Sequence, residues 1–412
     1  MKWKTVKISD VADICLGKML DQEKNQGNYM PYLANINVRW GEFDLSNIRK
    51  MRFESDELEK FSLKYGDIIM CEGGEPGRCA IWKQHNSNIL FQKALHRIRT
   101  HECLDSNYLY YVLLLMGKHN SFDPFLTGST IKHLPSIKLA IIDIPLPPLL
   151  IQRKIAAVLT ALDDKIALNR RINDKLEAMA KRLYDYWFVQ FDFPDENGRP
   201  YKSSGGKMVW NEALKREIPA GWEVKRLGDI ENKIITGKTP STSVVDYFGG
   251  NIPFITIDDI RKGKFVVISE RTLTEKGANS QLGKYLSPFS LCCSCIGTIG
   301  LIGFTSIISQ TNQQINSIVF QDKTNLEFLY FALKHYFNNA SIKTGNIFSN
   351  MNKEEFSSIT IIYPKNCLLS LFHNKLASFF NNQLYLEKQS AHLTSLRDRL
   401  LPLLMNGQVE VY

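Results

Sequence analysis

Apolar residues recur in steps of four and three along Ile151–Phe188, at Ile155, Leu159, Leu162 and Ile166, then Leu176, Met179 and Leu183. That spacing marks one seam of a long helix. The stretch has no Pro and no Gly, and Pro145, Pro147 and Pro148 border it upstream. Asn169 and Asn173 interrupt the seam; polar residues there cost stability but can fix register and partner. At about 1.5 Å per residue the helix is on the order of 55 Å long, with too narrow an apolar stripe for an ordinary core helix. It requires a partner helix.

The partner is predicted at Leu368–Met405, which has no Gly and reaches Pro only at Pro402. Its seam is Phe372, Leu376, Phe379, Gln383, Leu386, Leu393, Leu396 and Leu400. Phe372, Leu376, Phe379, Leu393, Leu396 and Leu400 each lie 217 residues after a seam position of the first stretch, so the helices read as copies of one element. The rest of the chain repeats in the same order. Trp3 matches Trp222, Pro31-Tyr32-Leu33 matches Pro253-Phe254-Ile255, and Gly74 and Gly77 match Gly297 and Gly300. Tyr108-Leu109-Tyr110-Tyr111 matches Phe328-Leu329-Tyr330-Phe331, and Thr127-Gly128 matches Thr344-Gly345.

Each globular half reads as mixed α and β. Short strand-like runs such as 66–70 and 265–268 alternate with Gly, Asn and Ser turns, and one clear helix per half falls near 108–118 and 326–337. The predicted class is α+β, with two similar mixed α/β domains separated by two long antiparallel helices in a pseudo-twofold repeat. The segments are a first domain over 1–147, a first long helix over 148–190 and a connector over 191–221. A second domain over 222–366 and a second long helix over 367–407 follow. The Pro, Gly and Ser content of the connector predicts loops rather than core.

Among the 412 residues, 51 Lys and Arg against 42 Asp and Glu give a formal charge of +9, which favours a polyanionic partner. No apolar run reaches the roughly 18 residues of a membrane span, and the first residues have no signal-peptide core. Eight scattered Cys do not form a disulfide pattern, and Cys292, Cys293 and Cys295 lack a second pair at zinc spacing. A cytoplasmic, metal-free chain is expected.

No catalytic signature is present. Asp123-Pro124-Phe125 only echoes an adenine-methyltransferase tetrad, and Gly73-Gly74-Glu75-Pro76-Gly77 lacks the Lys of a phosphate loop. Two similar heads on a helical spacer suit instead a duplex that repeats every 10 or so base pairs, about 34 Å. Each head would read one half-site, and because the heads differ the target would be asymmetric. The candidate contacts are polar and basic loop residues. In the first half they are Lys18, Arg39, Arg78, Gln92, Lys93, Ser129, Thr130, Lys132 and His133. In the second they are Lys238, Arg261, Thr298, Asn312, Gln313, Gln314, Asn346, Ser349 and Asn350. Amides can pair with adenine edges, and Lys or Arg can hold phosphates.

These residues carry a resemblance. The run Ile144–Phe193 (IPLPPLLIQRKIAAVLTALDDKIALNRRINDKLEAMAKRLYDYWFVQFDF) resembles the specificity subunit of type I restriction-modification enzymes. IPAGWEVKRLGDI over Ile218–Ile230 and LRDRLLPLLMNGQV over Leu396–Val409 are similar to further parts of that family, in family order. The resemblance implies two target-recognition domains, a helical spacer and no activity in this chain. It implies no cofactor here, with S-adenosylmethionine, ATP and Mg belonging to partner subunits. It further implies double-stranded DNA, two methyltransferase (modification) subunits and restriction/translocase subunits as partners, and no membrane. The family often has Glu-Gln after the proline run where this chain has Ile151-Gln152, and the second copy has no Gln there. Two other readings stand beside it: a restriction-methyltransferase fusion, which would bind S-adenosylmethionine by itself, and an adapter holding two protein-binding modules, which would not bind DNA selectively.

Overall fold

A computed structural model describes residues 3–19, 25–85, 88–344 and 350–409. The chain divides into two compact units, Met1–Lys165 with Leu393–Tyr412, and Ile166–His392.

In the first unit, Thr5–Lys7 pairs antiparallel with Asp143–Pro145 and leads through the short helix Ile8–Val11 into the main sheet. That sheet is antiparallel, in the order Ala12–Leu16, Leu95–Thr100, Ile68–Cys71, Cys79–Ile81. A smaller sheet sets Asn28–Leu33 between antiparallel Arg49–Phe53 and parallel Leu90–Phe91. The helix Ser106–Lys118 starts where the Asp105 carboxylate accepts from the Tyr108 N–H, a side-chain N-cap. Its Tyr108, Leu109 and Leu113 share one buried core with Ile68, Met70 and Ile98 of the sheet.

The second unit repeats this topology. Glu223–Arg226 pairs with Thr360–Tyr363. The main sheet runs Ile234–Thr236, Ile315–Ile318, Leu291–Ser294, Ile302–Thr305, and adds Phe265–Val266 in parallel at its edge. The smaller sheet sets Phe248–Ile255 between Arg271–Leu273 and parallel Gln310–Thr311. The anchors coincide in register: Tyr32 faces Leu90 and Leu33 faces Phe91, as Phe254 faces Gln310 and Ile255 faces Thr311. The repeat read from scattered anchors is therefore a repeat of strand order.

The long helices are Leu149–Tyr184, closed by a wider π-type turn over Asp185–Val189, and Asn366–Met405, which runs through Pro402. In the first unit Ile155, Ala156 and Leu159 share a core with Leu401, Leu404 and Met405, so the start of one helix lies with the end of the other. In the second unit Asn169 bonds Gln389 and Ser390, Gln383 reaches the Asn173 carbonyl, and Phe188 packs edge-on against Phe372 at 4.8 Å. Partner numbers fall as helix numbers rise, which is antiparallel pairing. Ile166 is buried in the seam, and Leu162, Leu176, Leu183, Phe379, Leu386, Leu393, Leu396 and Leu400 are half-buried.

Met179 is a correction. It is 55% exposed, and Ala180 fills the seam instead. After Asn173 and Leu176 the next inward position is four residues on, followed by Tyr184, so the step of three to Met179 leaves the stripe. The connector is a second correction. Its residues Met208–Asn211 and Arg216–Pro219 form a hairpin, and Phe191 and Ile218 are buried beside Trp222. Among the described residues no helix is long and apolar enough to cross a membrane.

Candidate nucleic-acid interface

In each unit three polar loops meet at one end of the main sheet, joined by equivalent backbone bonds. In the first, the Glu72 N–H donates to the Ala94 carbonyl (2.9 Å) and the Leu134 N–H to the Glu72 carbonyl (2.8 Å). In the second, the Cys295 N–H donates to the Gln314 carbonyl and the Met351 N–H to the Cys295 carbonyl, both at 2.8 Å. The first unit thereby gathers Gln92, Lys93 and the Ser129–His133 loop; the second gathers Asn312, Gln313, Gln314 and Asn350. Sequence spacing could not show this, because each bond joins residues distant in the chain, from Cys295 to Gln314 at the nearest and from Glu72 to Leu134 at the farthest.

The turns have a physical reason. Gly74 and Gly77 sit at φ +78° and +92°, and Gly297 and Gly300 at +76° and +85°, the left-handed region that glycine tolerates. A Cβ on Gly77 would also stand 2.6 Å from the Phe122 ring, and one on Gly300 2.8 Å from Phe337. The Thr127–His133 loop is closed by reciprocal backbone bonds of 2.8 Å, and Ser129, Thr130, Lys132 and His133 project from it exposed. Below it the buried His96 bonds the Leu134 carbonyl through Nε2 at 2.7 Å, and burial lowers its pKa.

The charged candidates divide by availability. Lys18 is only 4% exposed; it is ion-paired with Glu57 and lies 5.2 Å from the Phe53 ring centroid. Arg78 is mostly buried, held by Glu75 (2.7 Å) and the Asn35 carbonyl (3.0 Å), while Trp40 Nε1 also donates to Glu75. These two are therefore structural in place, contrary to their reading as open contacts. Arg39 is exposed, 3.8 Å from Asp44. Lys93 and Lys238 are exposed. The two equivalent lysines, 18 and 238, differ because the helix Ser55–Lys60 supplies Glu57, whereas the matching helix Glu275–Asn279 has Gly277 at that place.

In the second unit Arg261 is exposed, pairs with Asp258 at 2.7 Å and reaches the Thr298 hydroxyl at 3.3 Å. Gln313 is exposed and accepts from the Thr239 hydroxyl at 2.7 Å, and Asn312 donates to the Gln314 side chain at 2.9 Å. Asn346 and Ser349 lie outside the described residues. The sequence reading missed Lys264. A single lysine before an apolar run gives no signal, yet it lies at the centre of a buried network described below. Among the described residues no group of three or more His, Cys, Asp or Glu is placed to hold a metal ion. Each head thus offers turns rich in hydroxyl, amide and cationic groups, the groups that read base edges and hold phosphates.

Comparison with known proteins agrees with this geometry. A family model described as the type I restriction modification DNA specificity domain matches residues 1–178 and 219–366. The chain is 30% identical to the type I restriction enzyme HindI specificity subunit of Haemophilus influenzae, over 91% of this chain and 92% of that protein. It is 25% identical to the MjaIX specificity subunit of Methanocaldococcus jannaschii, over 99% of this chain and 94% of that one. A crystal structure of a type I restriction-modification S subunit from M. genitalium has the same fold, with a TM-score of 0.59 and 17% identity over 98% of this chain and 96% of that one. With two copies of the family domain in its halves and a near full-length curated relative, the chain belongs to the type I restriction-modification specificity (S) subunit family.

Proposed function

We propose that this chain is the non-catalytic DNA-recognition subunit of a type I restriction-modification complex, reading an asymmetric target in two parts. The observation that carries this reading is the duplicated three-loop end of the sheet: the backbone bonds match between heads while the side chains differ. Equal scaffolds with unequal side chains suit two different half-sites. The first domain, 1–147, reads one half-site and the second, 222–366, the other; the helices 148–190 and 367–407 set the interval, with 191–221 as connector. Exposed Arg39, Lys93, Lys132, Lys238 and Arg261 hold phosphates. Gln92, Ser129, Thr130, His133, Thr298, Asn312, Gln313, Gln314 and Asn350 face bases, together with Asn346 and Ser349.

The chain acts in the cytoplasm with DNA and with other subunits of its system. We assign to those subunits the methyl transfer, from S-adenosylmethionine in two modification subunits, and the ATP- and Mg-dependent translocation and cleavage. Exchanging residues 1–147 for the head of another family member tests the reading. One half of the methylated target should change and the other half and the interval should stay. A change in both halves would refute the modular reading, and loss of all sequence selectivity with the fold intact would favour the adapter.

A further inference from the structure

Partly exposed ion pairs, Lys83 with Asp164 and Lys118 with Asp398, tie the first head to the long helices, but the buried seats of the two heads differ in chemistry. In the first unit the wholly buried Gln152 accepts from the Asp105 N–H and donates to the carbonyls of Cys103 and Pro147, a set of neutral bonds. In the second unit the buried seat is ionic. Lys264 follows the short helix Ile257–Lys262, which carries Arg261, and immediately precedes the edge strand Phe265–Val266. Its carbonyl accepts from the Phe304 N–H at 2.7 Å, tying it to the neighbouring strand. Its ammonium reaches the first long helix through Glu177 Oε2 (2.8 Å) and the second through Gln383 Oε1 (2.9 Å). The Nζ lies 3.2 Å from the Phe380 ring centroid and 4.3 Å from that of Tyr330, a cation held against aromatic faces. The next residue's N–H, that of Phe265, donates to Glu387 Oε2 at 3.0 Å.

We infer that Lys264 is a positioning residue for the second half-site: it latches the strand behind Arg261 and Thr298 onto both long helices, so that base reading by this head, and not by the first, depends on it. This rests on the two-head reading above. A latch on a strand edge fixes where the adjoining loops stand, and a displacement of about 1 Å is enough to spoil hydrogen-bond recognition. The groups facing the ammonium are Glu177 from the first long helix, Tyr330, Lys334 and Glu327 from the helix Leu326–Thr344, and Glu387 from the second long helix. Burial, opposed by Glu177, lowers the Lys264 pKa to about 8. The latch therefore opens at mildly alkaline pH, where the neutral amine no longer binds Glu177 as an ion.

The test uses the full chain in the complex it forms in its host, with duplexes mismatched singly in each half-site. A mismatch normally costs on the order of tenfold or more in affinity. In Lys264→Met, which keeps the stem among the rings and leaves Glu177 bonded to Lys334 and Tyr330, mismatches in the second half-site should cost no more than about twofold. First half-site mismatches should keep their full cost. The unmodified complex moved from pH 7 to pH 9 should show the same one-sided relaxation, which covers the case of a variant that does not fold. Full discrimination in both half-sites in either experiment, or equal relaxation in both, would overturn the latch. An unmodified complex that fails to discriminate two half-sites at all would instead overturn the reading beneath it.

Discussion

Lys18 and Lys238 occupy equivalent places in the two heads, and their surroundings predict opposite phenotypes. Lys238 is exposed and has no ion-pair partner among the described residues. If it holds a phosphate, Lys238→Ala removes one counterion-releasing contact. The slope of log affinity against log salt should then fall in magnitude by about 0.9. An exposed truncation of this kind changes stability by no more than about 0.5 kcal/mol. Lys18 is 4% exposed, and its ammonium is shared between Glu57 and the face of Phe53. Lys18→Ala leaves the Glu57 carboxylate, itself 23% exposed, without its cation. Breaking a fully buried pair costs about 3–5 kcal/mol, and the partial exposure of Glu57 brings this to roughly 2–3 kcal/mol. For a unit of this size that lowers the melting temperature by about 5–10 °C. Salt-titrated binding to a target duplex and calorimetric unfolding measure the two effects. An unchanged slope in Lys238→Ala would refute the phosphate assignment. A reduced slope with unchanged melting in Lys18→Ala would refute the division between a structural and a contacting lysine.

A four-residue insertion near Leu168, continuing the helical seam, adds about 6 Å of helix, close to two base pairs; methylation mapping should show a longer interval between unchanged half-sites. Gly77→Ala forces a side chain into a left-handed turn and against Phe122, at a cost of about 1–3 kcal/mol, and should weaken reading of the first half-site only; Gly300→Ala should do the same for the second, both scored by mismatch binding. Acid should loosen the second unit through Glu177. Burial raises its pKa, but Lys264 and Lys334 outweigh burial and hold it near 2, below its ordinary 4.5. A folded pKa below the unfolded one gives stability that is present above pH 4.5 and lost as pH falls towards 2, up to about 3 kcal/mol. Glu177→Gln should therefore flatten the acid limb of a stability–pH profile, and an unaltered limb would count against the network.

The long helices were legible because a 4–3 alternation sustained over some forty residues has few other readings, and proline bounded one of them. The one misplaced seam residue, Met179, came from taking a step of three where the stripe needed four; residue type could not separate Met179 from Ala180, since alanine carries no hydrophobic signal. Paired anchors such as Tyr32-Leu33 with Phe254-Ile255 exposed the repeat, but not that each strand is hydrogen-bonded to a parallel neighbour some 55 residues on. Pairings of that separation depend on chain closure, which local pattern does not encode. The candidate contacts were legible as residue types only. Whether a lysine is open, like Lys238, or committed, like Lys18, turns on Gly277 against Glu57 in a distant helix. Lys264 escaped notice for the same reason: its five partners come from three other helices.

Methylation mapping of the host genome, with and without this chain, tests the central claim most directly. The account predicts a bipartite, asymmetric, adenine-methylated target with a fixed gap of unread base pairs, lost when the chain is deleted. A continuous or palindromic target, or methylation unaffected by the deletion, would contradict it.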